Sequence, residues 1–228
     1  MSSLAARLKA ETADMHRQAE RGRFMAALLR GEVDRVGYCA YLRSLHVLYG
    51  ALEPALVRHG AHPLIRAVFN PALARGDALA DDLCNLHGES WAVELAPQPA
   101  ALRYAERLEQ ISGTDPGRLL AHAYVRYLGD LSGGQVLRRI VVQAMRLPGG
   151  PGEPGTRFYW FGDAARTREL TLAFRVGLEA ICPEATQADE IVDEALRAFG
   201  LHQCLFEELS QLCGLAERPH AAAPIAAD

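Results

Sequence analysis

The 228-residue chain holds only five cysteines, at positions 39, 84, 182, 204 and 213, an odd number with no Cys-x-x-Cys pair. That spacing argues against a disulfide framework and a cysteine-rich zinc site, and it points to a reducing compartment, the cytoplasm. Charge of one sign is also scarce. The formal net charge is −4, with 23% charged residues, so nothing electrostatic calls for a nucleic-acid partner. No apolar run approaches the roughly 18 residues a membrane span needs, and no membrane anchor is expected. The opening MSSLAARLKAETADMH lacks the apolar stretch of a secretory signal. Strand-like alternation longer than a few residues is missing, and so is any internal repeat.

What is present is helical periodicity. Half of the residues are hydrophobic, ample for a real core. Ser2 or Ser3 can cap a first helix that carries Leu4, Leu8, Met15 and Ala19 and reaches Gly22. FMAALLRG adds a turn or two. Asp34 is the N-cap of a long helix that stops near Gly60, with a kink expected at Pro54. Residues 63–70 and 71–87 read as two shorter helices divided at Asn70–Pro71, and 88–100 as a connection. A helix covers about 100–111. Asp115 and Pro116 are then an N-cap and first-turn pair for a helix running to about Met145. LPGGPGEPG is the one strongly flexible segment, and helices over about 164–181 and 187–213 end the pattern. The prediction is all-α: one domain over residues 1–215, a monomer, with residues 216–228 a disordered Pro/Ala tail.

One stretch contradicts its helical setting. Residues 129–134 read GDLSGG, and each interior glycine costs a helix about 1 kcal/mol relative to alanine. Gly129 and Gly133 are four residues apart and share a face. His122, seven residues earlier, lies on about the same stripe, and Gly134 on the next. One face of this helix therefore has no side chains for about a turn and a half. Close packing of a neighbouring helix is the plainer explanation for a pair of glycines. The third adds a helix that can kink, with exposed backbone, which suits a flat ligand equally well. Spacing alone goes no further.

The run AHAYVRYLGDLSGGQVLRRI resembles the signature of haem oxygenases. LKAETADMHRQAE resembles that family's haem-ligating helix, QCLFEELSQL its final helix, and the likeness covers about residues 4–213. It implies a helical bundle with haem b between the first helix and a glycine-kinked distal helix. Haem would be both cofactor and substrate, opened at a meso carbon, the α position favoured, to biliverdin, CO and Fe(II). O2 and electrons from an external soluble donor, a ferredoxin or a flavin reductase, would drive the reaction. No Cys-x-x-Cys-His is present for covalent attachment.

The same resemblance implies the site. His16 is the axial iron ligand, and Glu20, one turn on, can accept a bond from its other ring nitrogen. Lys9 and Arg175 match residues that seat the haem, with Tyr124 of the distal helix a further haem contact, while Thr171 stands where the family often has a second basic residue, so the propionate clamp is either weaker or uses Arg168 instead. Gly129 and Gly133 face the distal side of the porphyrin. Asp130, about 100° off that stripe, would act through ordered water, oriented by Arg126 four residues before it and joined by Tyr49. Taken without the family, His16 with Glu20 and Arg126 with Asp130 are ordinary surface pairs, and His122 is a rival iron ligand. Three other readings compete. A di-iron oxidase would need Glu-x-x-His on a helix, and no predicted helix carries it. A thiaminase-like enzyme would need a cysteine in a polar pocket. A haem carrier would need His16 but not Asp130 with Arg126.

Overall fold

The computed structural model describes residues 3–215, and the tail assigned to 216–228 lies outside them. Eleven α-helices follow in order: α1 Leu4–Glu11, α2 Ala13–Arg21, α3 Arg23–Leu29, α4 Arg35–Arg58, α5 Pro63–Arg66, α6 Gly76–His87, α7 Trp91–Glu94, α8 Pro99–Thr114, α9 Leu119–Met145, α10 Ala164–Glu179 and α11 Ala185–Leu212. Among the described residues there is no strand. No helix among them is long and apolar enough to cross a membrane.

The caps largely follow the local chemistry. Ser3 accepts from the Ala6 amide, Asp34 from Gly37 and Asp163 from Arg166, each filling an orphan donor at a helix start. Other expectations need correction. The first helix is not continuous to Gly22 but hitches at Thr12, whose hydroxyl donates to the Leu8 carbonyl at 2.7 Å. Such a back-bond to the preceding turn bends helices. Asp115 does not cap the distal helix. A 3-10 turn at Pro116–Arg118 intervenes, and the Asp115 carboxylate instead accepts from Arg118 Nε at 2.9 Å. The segment 63–70 contributes only one helical turn, and 71–73 is a 3-10 turn capped by Asn70. The connection at 88–100 carries the short α7. Helix α4 continues through Pro54.

Helix α4 is the central pillar, packed on α6 and α8, while α11 packs on α8 and α9. Their contact faces hold Leu42, Leu45, Leu48, Leu52, Leu108, Leu205 and Leu209, all fully buried, so one apolar core joins the long helices. The N-terminal helices lie outside this pillar. Helix α1 rests on α10 and α11, and α2 leans on α11. Helix α2 buries none of its nine residues. A helix in a packed domain with no buried side chain has its inner face turned to open space.

Candidate functional site: a cleft opposite a bared helix

That open space is a cleft of about 760 Å³ between α1–α2 on one side and α9 on the other, closed by α10 and Phe199 of α11. Its size falls within the roughly 300–1,000 Å³ typical of small-molecule sites. His16 projects into it from α2 with half of its side chain exposed, 52%, its ring edge-on to Phe199 at 5.9 Å. Lys9, Thr12 and Arg17 line the same wall.

The opposite wall is the middle of α9, which runs without interruption through GDLSGG. The glycines thin the helix rather than end it, and they differ in purpose. A Cβ on Gly129 or Gly133 would meet nothing within 4 Å, so both open straight into the cleft. A Cβ on Gly134 would sit 3.4 Å from the Tyr159 ring, on the side away from the cleft. The packing explanation thus holds for Gly134, and the ligand explanation fits the other two. His122 shares the glycine stripe only in angle. At its level α8 and α11 cover α9, so His122 is fully buried between Tyr104 and Glu194 and cannot reach the cleft.

The expected residues fall into two groups. Lys9, His16, Glu20, Tyr124, Gly129, Gly133 and Arg175 all line the cleft. His16 Nδ1 and Glu20 Oε2 are 3.6 Å apart, an ion-pair separation too long for a hydrogen bond. Burial raises the Tyr124 phenol, and a bond with the Thr12 hydroxyl offsets part of that rise. Thr171 is occupied by its own helix, donating to the Thr167 carbonyl at 2.8 Å. Arg168 lines an adjoining groove of about 290 Å³ that shares Arg175 and Ser132 with the main cleft.

Tyr49, Arg126 and Asp130 form the second group, inside the bundle directly behind the glycine face. The surface-pair reading of Arg126 and Asp130 is ruled out by their burial. Arg126 Nη2 donates to Asp130 Oδ1 at 2.7 Å, and the fully buried Tyr49 hydroxyl donates to Oδ2. Burial pushes the Asp130 carboxyl up from its ordinary range, against the pull of Arg126 and of the Tyr49 bond. A carboxylate held one residue from the cleft, pinned by two donors and raised toward proton uptake, suits proton handling. Sequence reasoning missed the rest of this cluster: Tyr104, Glu194 and His202, which reach Arg126 and His122 from α8 and α11. No local pattern marks them, because their partners lie 18 to 76 residues away in the chain.

A helical bundle with an imidazole facing a bared helix across a cleft defines a class of protein that holds a flat ligand between two helices. The particular family is settled by comparison: the heme oxygenase family model matches residues 2–208. The chain is 36% identical over 208 residues to heme oxygenase 1 of Nostoc sp., covering 91% of this chain and 86% of that one. Human heme oxygenase 1 is 38% identical over 210 residues, covering 92% of this chain and 72% of that protein. The crystal structure of Synechocystis heme oxygenase-2 in complex with heme and NO superposes with a TM-score of 0.87 at 36% identity, covering 93% of this chain and 87% of that one. The chain belongs to the heme oxygenase family, and it is an oxidoreductase acting on haem.

Proposed function

We propose that the chain binds haem b in the cleft and opens the porphyrin at a meso carbon, yielding biliverdin, CO and Fe(II). One observation carries the reading. The two glycines whose Cβ positions are empty stand across the cleft from the one histidine that lines it. Bound haem supplies the iron that activates O2 and is itself the substrate.

The protein supplies orientation and proton control. His16 offers a ring nitrogen to the iron, and Glu20 stands one turn away on the same face to steady the ring. Lys9, Tyr124 and Arg175 lie along the cleft walls and are the partners for the two propionates, with Arg168 in the adjoining groove supporting the edge where Thr171 supplies no charge. Gly129 and Gly133 let the α9 backbone approach the porphyrin face and leave room for O2. Asp130 directs a proton through ordered water, held by Tyr49 and Arg126. The α-meso position is favoured because Lys9 and Arg175, which would hold the propionates, match the residues that seat haem in α-selective members of the family. Electrons come from an external soluble donor, a ferredoxin or a flavin reductase, in the cytoplasm; the five unpaired thiols, three of them exposed, fit a reducing compartment.

Anaerobic titration with hemin should give a stoichiometric complex. Reduced ferredoxin and O2 should then bleach the Soret band while biliverdin appears. A stable complex that survives electrons and O2 would instead identify a haem carrier.

A further inference from the structure

Two histidines are buried beside the Arg126–Asp130 pair, and the groups around them dictate different tautomers. His122 Nε2 lies 3.2 Å from Glu194 Oε1, and its Nδ1 lies 3.0 Å from the Tyr104 hydroxyl. A carboxylate only accepts, so Nε2 carries the proton and Nδ1 accepts from Tyr104. Burial lowers the His122 pKa, which keeps the ring neutral. His202, on α11, is 3% exposed and has the opposite kind of neighbour. Its Nε2 lies 3.4 Å from Arg126 Nη1, and a guanidinium only donates. Nε2 must therefore be bare, which leaves the proton on Nδ1. That nitrogen is buried and has no protein partner. A buried N–H is rarely left unpaired, and an internal water is the usual acceptor.

The His202 ring is also fixed from its sides. It stands edge-on to Tyr104 at 5.0 Å and stacks on Phe206 at 5.9 Å. Arg126 in turn uses its other donors on the Tyr49 hydroxyl at 3.3 Å and on Asp130 at 2.7 Å. The guanidinium is thus held by Tyr49, Asp130 and His202, and the Tyr41 hydroxyl also reaches it.

We propose that His202 is a positioning residue: a neutral imidazole protonated at Nδ1, whose Nε2 orients Arg126 and through it Asp130, with a buried water accepting from Nδ1. Its effect on turnover rests on the part given to Asp130 above; the tautomer does not. Burial first, then the charge of Arg126, hold the His202 pKa well below the usual imidazole range, in keeping with a neutral ring.

The first test uses the unaltered, haem-free chain labelled with 15N at histidine. Long-range proton–nitrogen correlation at neutral pH should show the His202 proton on Nδ1 and the His122 proton on Nε2. A His202 proton on Nε2, or an imidazolium, overturns the proposal. The second test separates positioning from packing. His202→Gln places an amide oxygen where Nε2 stands, whereas His202→Leu fills the space without an acceptor. In the haem-loaded protein, His202→Leu should lower kcat about tenfold with haem affinity unchanged, and His202→Gln should recover to within about twofold. Equal loss in both variants, or none in His202→Leu, refutes the positioning role. If the unaltered chain takes up no hemin, the haem reading fails, while the tautomer measured without haem still decides this proposal.

Discussion

At the scale of single residues, the cleft sets an exposed imidazole, His16, against a buried carboxylate, Asp130. His16 spends little on its own fold: it is half exposed, and its contacts are Phe199 and a distant Glu20. His16→Ala should therefore leave the melting temperature nearly unchanged, within the small range usual for surface changes, while removing the axial bond and altering the haem absorption spectrum. An unchanged spectrum would point to another ligand. Asp130 is the reverse case. Removing its carboxylate leaves the Arg126 cation buried without its partner, which typically costs about 3–5 kcal/mol. Asp130→Ala should thus lower stability measured by urea unfolding, keep haem binding, and lose biliverdin formation. Normal turnover in a folded variant would refute its proton-handling role.

At the scale of the helix, glycines that look alike in sequence carry different constraints. A Cβ on Gly177 of α10 would stand 1.8 Å from the Ala67 carbonyl oxygen, so α10 can approach that backbone only without a side chain. A Cβ on Gly133, in contrast, would meet no neighbouring element within 4 Å. Replacing it with alanine should strengthen α9 by about 1 kcal/mol, a rise of roughly 2–4 °C in Tm for a chain this long. The same change should weaken haem turnover, because the new methyl group enters the ligand's space. Gly177→Ala should lower Tm sharply with no gain to offset it. If Gly133→Ala destabilised the haem-free protein, its conformational freedom would matter to the fold and the ligand argument would fail. Element boundaries show the same limit of local reading. Asp34 caps as its pattern predicts, and Asp163 caps α10. Asp115 has an equally good local pattern yet turns to Arg118, because Pro116–Arg118 forms a 3-10 turn first.

At the scale of the whole molecule, two buried carboxylates tie distant segments together with opposite pH signatures. Glu194 joins α11 to α8 and α9 through Arg107 and His122; burial would raise it, but those bonds pull it down to about 2. Its folded pKa is depressed, so its contribution is complete above the unfolded value and is lost as pH falls from about 4.5 toward 2, on the order of 3 kcal/mol. Asp82 on α6 accepts from the amides of Gly155 at 2.7 Å and of Arg157 and Phe158 at 2.8 Å, clasping the loop that backs Gly134 through Tyr159. Burial outweighs those bonds and raises it to about 6. Its sign is reversed: the folded state holds the proton more tightly, so stability declines as pH rises from about 4 to 6. Urea unfolding across pH 3–8 should show Glu194→Gln losing the acid-side slope and Asp82→Asn losing the decline between pH 4 and 6. Unchanged slopes in both variants would disprove these assignments.

The sequence by itself determined the helical class, most caps, and the glycine pattern with His16 ahead of it, because each depends on neighbours within a turn or two. Family resemblance then singled out Lys9, Tyr124 and Arg175, which line the cleft, and Tyr49, Arg126 and Asp130, which bond to one another behind it. What tertiary structure alone decided was which side of α9 faces what: that Gly129 and Gly133 open on a cleft while Gly134 packs on Tyr159, that His122 is walled in, and that His202 completes the cluster behind Asp130. Helical periodicity gives angles around an axis. Burial and partnership depend on which other helices cover that axis at each level, and those helices come from chain segments far away in sequence.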